Sequence, residues 1–116
     1  MNGEKKYDLE DRTLKFAKET HSFLRLLNQD LVNREIIKQL TRSSASIGAN
    51  YIEANESLSK KDFLMRIKIS RKEAKETGYW LKLLECNEKL ESTKDKLIQE
   101  SIELMKIFGA ILEKSK

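Results

Sequence analysis

Two polar lines at helical spacing are the residues here whose types could do chemistry. Arg42, Ser46 and Glu53 form the first, Arg66, Glu73 and Glu76 the second, and Asn50, Ser70 and Thr77 on the adjoining apolar stripes complete one candidate polar network. Carboxylates, guanidiniums and hydroxyls brought together in this way suit either of two uses. One is acid–base or metal chemistry. The other is a structural network of hydrogen bonds and ion pairs that fixes helix register or a subunit contact. Metal chemistry in a helical bundle needs Glu-x-x-His on two helices. The only histidine is His21, and Lys18 stands three residues before it. That leaves no metal ligand set and no nucleophile–base pair, and phosphate-binding glycine loops are also missing, so no cofactor and no small-molecule substrate is expected. The expectation is a protein that is not an enzyme. His21 itself reads as a surface or boundary residue.

A second set of residues carries charge. Residues 1–58 hold nine basic and nine acidic side chains, whereas residues 59–116 hold fourteen and ten, so the whole net charge of +4 arises in the second half. At 100° per residue Lys61, Lys68, Lys72 and Lys75 fall within about 60° of one another, with Lys82 just beside them, roughly opposite Phe63, Ile67, Ala74 and Leu81. Such a stripe is either a solubilising surface or an electrostatic footprint for RNA or DNA. It lacks the aromatics of a single-strand stacking platform and the zinc ligands of sequence readers, so binding would be directed to the backbone and sensitive to salt. Ile69, Trp80 and Leu84 lie off the apolar stripe of the same segment. They are candidates for a subunit interface unless a neighbouring helix covers them.

These residues need helices to hold them. The chain of 116 residues has no proline, four glycines and 7% aromatics, which argues against a β-sandwich or barrel and for a single all-helical domain. Charged residues make up 36% of it, yet 39% hydrophobic content is too high for a disordered chain. Leu9, Thr13, Phe16, Thr20, Phe23 and Leu27 predict a helix over 8–28 capped by Asp8. Ile36, Leu40, Ser43, Ile47, Asn50 and Ala54 predict one over 33–55 capped by Asn33. Phe63, Ile67, Ser70, Ala74, Thr77 and Leu81 predict a third over 60–86, starting after Ser59. Leu97, Ser101, Leu104, Met105, Phe108, Ile111 and Leu112 predict a fourth over 93–114 with Ser92 as its start signal. Connectors of about four or five residues force sequential helices to be antiparallel, giving an up-down-up-down four-helix bundle.

Within the second helix, residues 43–49 read Ser-Ser-Ala-Ser-Ile-Gly-Ala, a run of mediocre helix formers that bury little surface. Small side chains serve close helix approach, so other helices must clamp this stretch. Asn50 is expected inside the apolar stripe, with Ser70 and Thr77 as partners for its amide. Cys86 stands alone, so no internal disulfide forms and a reducing cytoplasm fits. The charged stretch around Glu4, Lys5 and Lys6 lacks the apolar core of a secretory signal, and no uncharged run approaches the about 20 apolar residues of a membrane span.

The run Gln39-Leu40-Thr41-Arg42-Ser43-Ser44-Ala45-Ser46-Ile47-Gly48-Ala49-Asn50-Tyr51-Ile52-Glu53-Ala54 resembles the signature of the bacterial four helix bundle proteins, also called 23S rRNA intervening-sequence proteins. The resemblance continues through Ser59, Asp62, Phe63, Lys72, Glu73, Ala74, Glu76, Thr77, Tyr79, Trp80 and Leu81. Many members carry proline where Gly48 stands, and a shorter Asn-Ile-Ala-Glu-Gly ending, a departure that suggests a subgroup. The resemblance implies an antiparallel four-helix bundle that assembles as a ring-like homopentamer, without known catalytic activity in most members. It further implies that some relatives are encoded within insertions of ribosomal RNA genes. A related branch serves as the basic accessory protein of diversity-generating retroelements and binds nucleic acid and a reverse transcriptase. Five copies of this chain would carry about +20, repeating the lysine stripe around one axis. The rival expectation is a protein–protein interaction scaffold with no nucleic-acid role.

Overall fold

The computed structural model describes the backbone of residues 2–116 and the side chains from Leu9 onward. Four helices follow one another: α1 (Asn2–Leu24), α2 (Leu31–Asn55), α3 (Lys60–Leu83) and α4 (Glu88–Lys114). Helices of 23 to 27 residues are about 35 to 40 Å long at 1.5 Å per residue. That length accounts for the 44 Å long axis of the molecule. Among the described residues α2 packs on α1 and α3, and α3 on α4; α1 and α4 touch least, and the diagonal pairs do not meet. This is the expected four-helix bundle, with one loosely closed side.

The helix ends differ from expectation for identifiable reasons. α1 begins before Asp8, which therefore lies inside the helix rather than at its cap; the Asp8 side chain falls outside the described residues. It ends at Leu24, where the N–H groups of Leu26 and Leu27 turn back to the carbonyls of Phe23 and Leu24 at 3.0 and 3.3 Å. Leu27 remains in the core, so its apolar spacing extended the sequence pattern beyond the helix. The cap of α2 is Asp30, whose carboxylate accepts from the Asn33 N–H at 2.9 Å. Asn33 is buried instead, its amide donating to the carbonyls of Asn28 at 3.2 Å and Glu85 at 3.0 Å. One side chain thus ties the α1–α2 connector to the α3–α4 connector. Ser59 caps α3 as expected, accepting from the Asp62 N–H at 3.1 Å. α3 stops at Leu83 because Leu84 turns extended, and α4 starts at Glu88 rather than near 93, leaving Ser92 exposed inside it.

The core is built from Phe16, Phe23, Leu40, Ile47, Ile67, Leu81, Leu104 and Phe108, with Tyr51 against Phe108 at 5.7 Å between ring centroids. The small stretch of α2 is clamped from both sides. Ser43, Ser44, Ile47 and Gly48 are all buried, and a Cβ added at Gly48 would stand 2.8 Å from Thr13 Oγ1 on α1. On the α3–α4 side Gly78 has the same role, since a Cβ there would stand 2.7 Å from Ser101 Oγ. Buried hydroxyls donate to main-chain carbonyls one turn back: Thr13 to Leu9, Ser44 to Leu40 and Ser101 to Ile98, at 2.9, 2.7 and 2.6 Å. This is how most polar side chains enter the apolar core without leaving donors unmet, the buried Thr20 hydroxyl being the one left without a partner among the described residues.

Candidate nucleic-acid interface

The polar residues of α2 and α3 separate into two groups by depth. Inside, Thr77 Oγ1 lies 2.9 Å from Ser43 Oγ and 2.7 Å from the Glu73 carbonyl, and Ser70 Oγ donates to the Ile47 carbonyl at 2.9 Å. Nearer the surface, Arg42 reaches both carboxylate oxygens of Glu73 at 3.3 Å, and Arg66 Nη1 donates to Asn50 Oδ1 at 2.9 Å. Asn50 Nδ2 in turn donates to the Ser46 carbonyl and hydroxyl at 2.9 and 3.1 Å. Asn50 is therefore half-buried on the flank, and Ser70 and Thr77 are not its partners. A guanidinium on the neighbouring helix reached it first. Glu53 is exposed and Glu76 half-buried, and neither carboxylate has an ion-pair or hydrogen-bond partner among the described residues.

These groups are engaged mainly with one another and with the main chain. The inner hydroxyls are engaged by main-chain carbonyls and by one another, and the buried Glu73 carboxylate is neutralised by Arg42. His21 Nε2 lies 3.1 Å from the Thr41 carbonyl, which can only accept, so that nitrogen is the donor. Burial, and next the hydrogen bond to Glu91, pushes the Cys86 thiol pKa up, the opposite of an activated nucleophile.

The lysines of α3 stand on the other side of the helix. Lys61, Lys68, Lys72, Lys75 and Lys82 are all exposed, and none has a carboxylate within ion-pair distance among the described residues. Ile67, Ala74 and Leu81, across the helix axis, are fully buried. The helix thus turns one face into the core and a row of ammonium groups to solvent. Along one margin of the row stand exposed Met65, Tyr79 and Leu83 and half-buried Ile69 and Trp80. Trp80 meets Tyr79 edge-on, with ring centroids 5.3 Å apart, and its indole N–H is enclosed without a hydrogen-bond partner. Leu84 does not belong to this patch. Its extended backbone after the last turn swings the side chain inward, where it is 0% exposed.

Two features escaped sequence reasoning. Arg12 and Glu100 form a two-pronged pair from α1 to α4 at 2.7 and 2.8 Å, and Asn55 Nδ2 donates to Glu10 Oε2 at 2.8 Å. Glu100 holds the Arg12 guanidinium more firmly protonated than usual, chiefly through that hydrogen bond. Both contacts join residues far apart in the chain, and helical periodicity carries no signal for such pairing. The role of Asn33 had a signal, because an amide on the apolar stripe needs buried partners.

No helix among the described residues is long and apolar enough to cross a membrane. No curated protein matches the chain. A crystal structure of a protein with unknown function from the S23 ribosomal protein family of Bacteroides thetaiotaomicron VPI-5482 superposes with a TM-score of 0.73 at 32% identity. The alignment covers 94% of this chain and 98% of that one. The profile of the 23S rRNA-intervening sequence proteins matches residues 5–110. With both the fold and nearly the whole length shared, the chain belongs to the 23S rRNA-intervening sequence protein family.

Proposed function

We infer that this protein is a non-enzymatic, self-assembling cytoplasmic bundle that binds the backbone of structured RNA or DNA through the outer face of α3. The observation that carries this reading is the row Lys61, Lys68, Lys72, Lys75 and Lys82, all exposed and free of ion pairs among the described residues. Ammonium groups one and two turns apart along a rigid helix are a fixed array for phosphates, and neutralising phosphates releases counterions. The family's name, which refers to intervening sequences of 23S rRNA, and the similar structure's place in a ribosomal protein family support the same direction.

Self-association supplies the field that one subunit lacks. Met65, Ile69, Tyr79 and Trp80 make an apolar margin beside the lysines, suited to burial against another copy. Packing there leaves the lysines at the rim, and a pentamer, the assembly implied by the family resemblance, repeats them around a ring. If the apolar margin instead receives a different protein, the bundle is an interaction scaffold without a nucleic-acid role.

Binding to a structured RNA and to duplex DNA, followed from about 50 to 200 mM salt, tests the reading. Affinity falls steeply with salt for both, by roughly 10³-fold or more if six or more phosphates are contacted by the assembly. The double substitution Lys68→Glu with Lys72→Glu weakens it and flattens the slope. Absent binding, or binding indifferent to salt, sinks the nucleic-acid role and favours the scaffold.

A further inference from the structure

One aromatic ring stands among the lysines of α3. At 100° per residue Tyr79 falls inside the arc spanned by Lys82, Lys75, Lys68, Lys61 and Lys72, whereas Ile69 and Trp80 lie about 80 to 100° further round the helix. Lys75 precedes Tyr79 by four residues and Lys82 follows it by three, so an ammonium group stands one turn away on either side. The ring is 60% exposed, which leaves most of its surface open to a ligand. On the side away from the lysines the half-buried Trp80 meets it edge-on, at 5.3 Å between centroids and 71° between planes. That contact restricts the rotamers of Tyr79 and fixes its ring before anything binds. Ile69 and Trp80 can therefore be covered by another copy while Tyr79 stays at the rim with the lysines.

Ammonium groups hold phosphates and carry no information about bases. An open, braced ring does, because any base presents a π-face to it once the base has left its own stack. A run of single-stranded bases needs successive rings, and the lysine arc offers one. One ring among phosphate-binding cations is complementary to a duplex that exposes a single base. We propose that Tyr79 stacks on one unpaired base of the nucleic acid whose phosphates lie on the lysine row, so that the favoured ligand is a duplex interrupted by a bulged or flipped-out nucleotide. The proposal rests on the reading of α3 as a backbone-binding face, and it adds a preference that the lysines alone do not supply. The lysines set how tightly any duplex is held; Tyr79 selects the duplexes that present a free base.

The test uses the full-length protein and two fluorescein-labelled RNA hairpins that share one stem longer than the lysine row, which runs about 32 Å from Lys61 to Lys82. One stem is uninterrupted, and the other carries a single unpaired adenosine at its middle. Affinities are measured by fluorescence anisotropy across a salt series. The bulged hairpin binds about tenfold tighter, as one stacked base provides. Tyr79→Ala removes that preference but leaves the affinity for the uninterrupted stem and its salt slope unchanged, because no charge is lost. Tyr79→Phe, which keeps the ring and drops the hydroxyl, retains the preference. Tyr79 is exposed, so helicity by circular dichroism is the same in both variants. Equal affinity for the two hairpins overturns the proposal, as does a preference that survives Tyr79→Ala, which would belong to the bend of the bulged RNA. So does an equal loss for both hairpins on Tyr79→Ala, or a fall in particle mass, which would assign the ring to the contact between copies. Each of these leaves salt-dependent binding of the uninterrupted stem in place; failure of both hairpins to bind removes the backbone-binding face together with the stacking role.

Discussion

Asn33 shows most clearly what a single residue does in this bundle. Its two amide hydrogens satisfy the carbonyls of Asn28 and Glu85, which lie 5 and 52 residues from it along the chain, in two different connectors. Replacing it with alanine leaves both carbonyls short of a donor at a buried site. Asn33→Ala is therefore expected to cost about 2 kcal/mol, read as a lower unfolding midpoint in urea with an unchanged slope. A loss below the error of the measurement would mean that water serves the carbonyls equally well. The polar type and apolar-face position of Asn33 were legible from the sequence, but Asp30 competes for the same capping role three residues earlier, and only the packed connectors reveal what the amide is for. Asn50 teaches the converse. Its place at the margin of the stripe lets Arg66 draw it outward, so angular position alone did not decide its depth.

Among elements, α2 is the most constrained. Its serines and Gly48 are poor helix formers in isolation, and they are tolerated because α1 and α3 close on them. The stripe residues Ser43 and Ile47 face those helices, as the sequence implied, and both are 0% exposed. Gly48→Ala sets two effects against each other. Alanine favours the helix by about 1 kcal/mol, but its methyl would stand 2.8 Å from Thr13 Oγ1. The Thr13 Cβ is only 3.1 Å away as well, so rotating the hydroxyl does not clear the space. Overpacking wins, and Gly48→Ala lowers stability by about 1 to 2 kcal/mol. Adding Thr13→Ala recovers most of that loss in a double-mutant cycle. If the two changes are simply additive, the helices are not in the close register described. Helix existence and order were legible because each apolar stripe is long and periodic. The ends were not, because Leu27 and Leu84 continue the apolar pattern from non-helical backbone and Leu90 draws α4 to an earlier start.

For the whole molecule, the outward face that the proposed function rests on is the lysine row of α3 with its apolar margin. Composition located the excess positive charge in the second half of the chain, and helical projection located it on one face of α3. It could not separate Leu84, which is core, from Ile69 and Trp80, which stay at the margin. Self-association through that margin predicts that Ile69→Glu lowers the particle mass in light scattering while helicity is retained. An unchanged mass would remove the margin from the assembly.

Charge location, rather than charge amount, is the central claim. The most direct measurement compares two variants of equal net charge in RNA binding at one low salt concentration. One carries Lys68→Glu with Lys72→Glu on α3, and the other Lys106→Glu with Lys114→Glu on the exposed side of α4. The account predicts a loss of about tenfold or more for the α3 variant and a clearly smaller change for the α4 variant. Equal losses in the two would contradict it, since binding would then follow total charge and owe nothing to the α3 face.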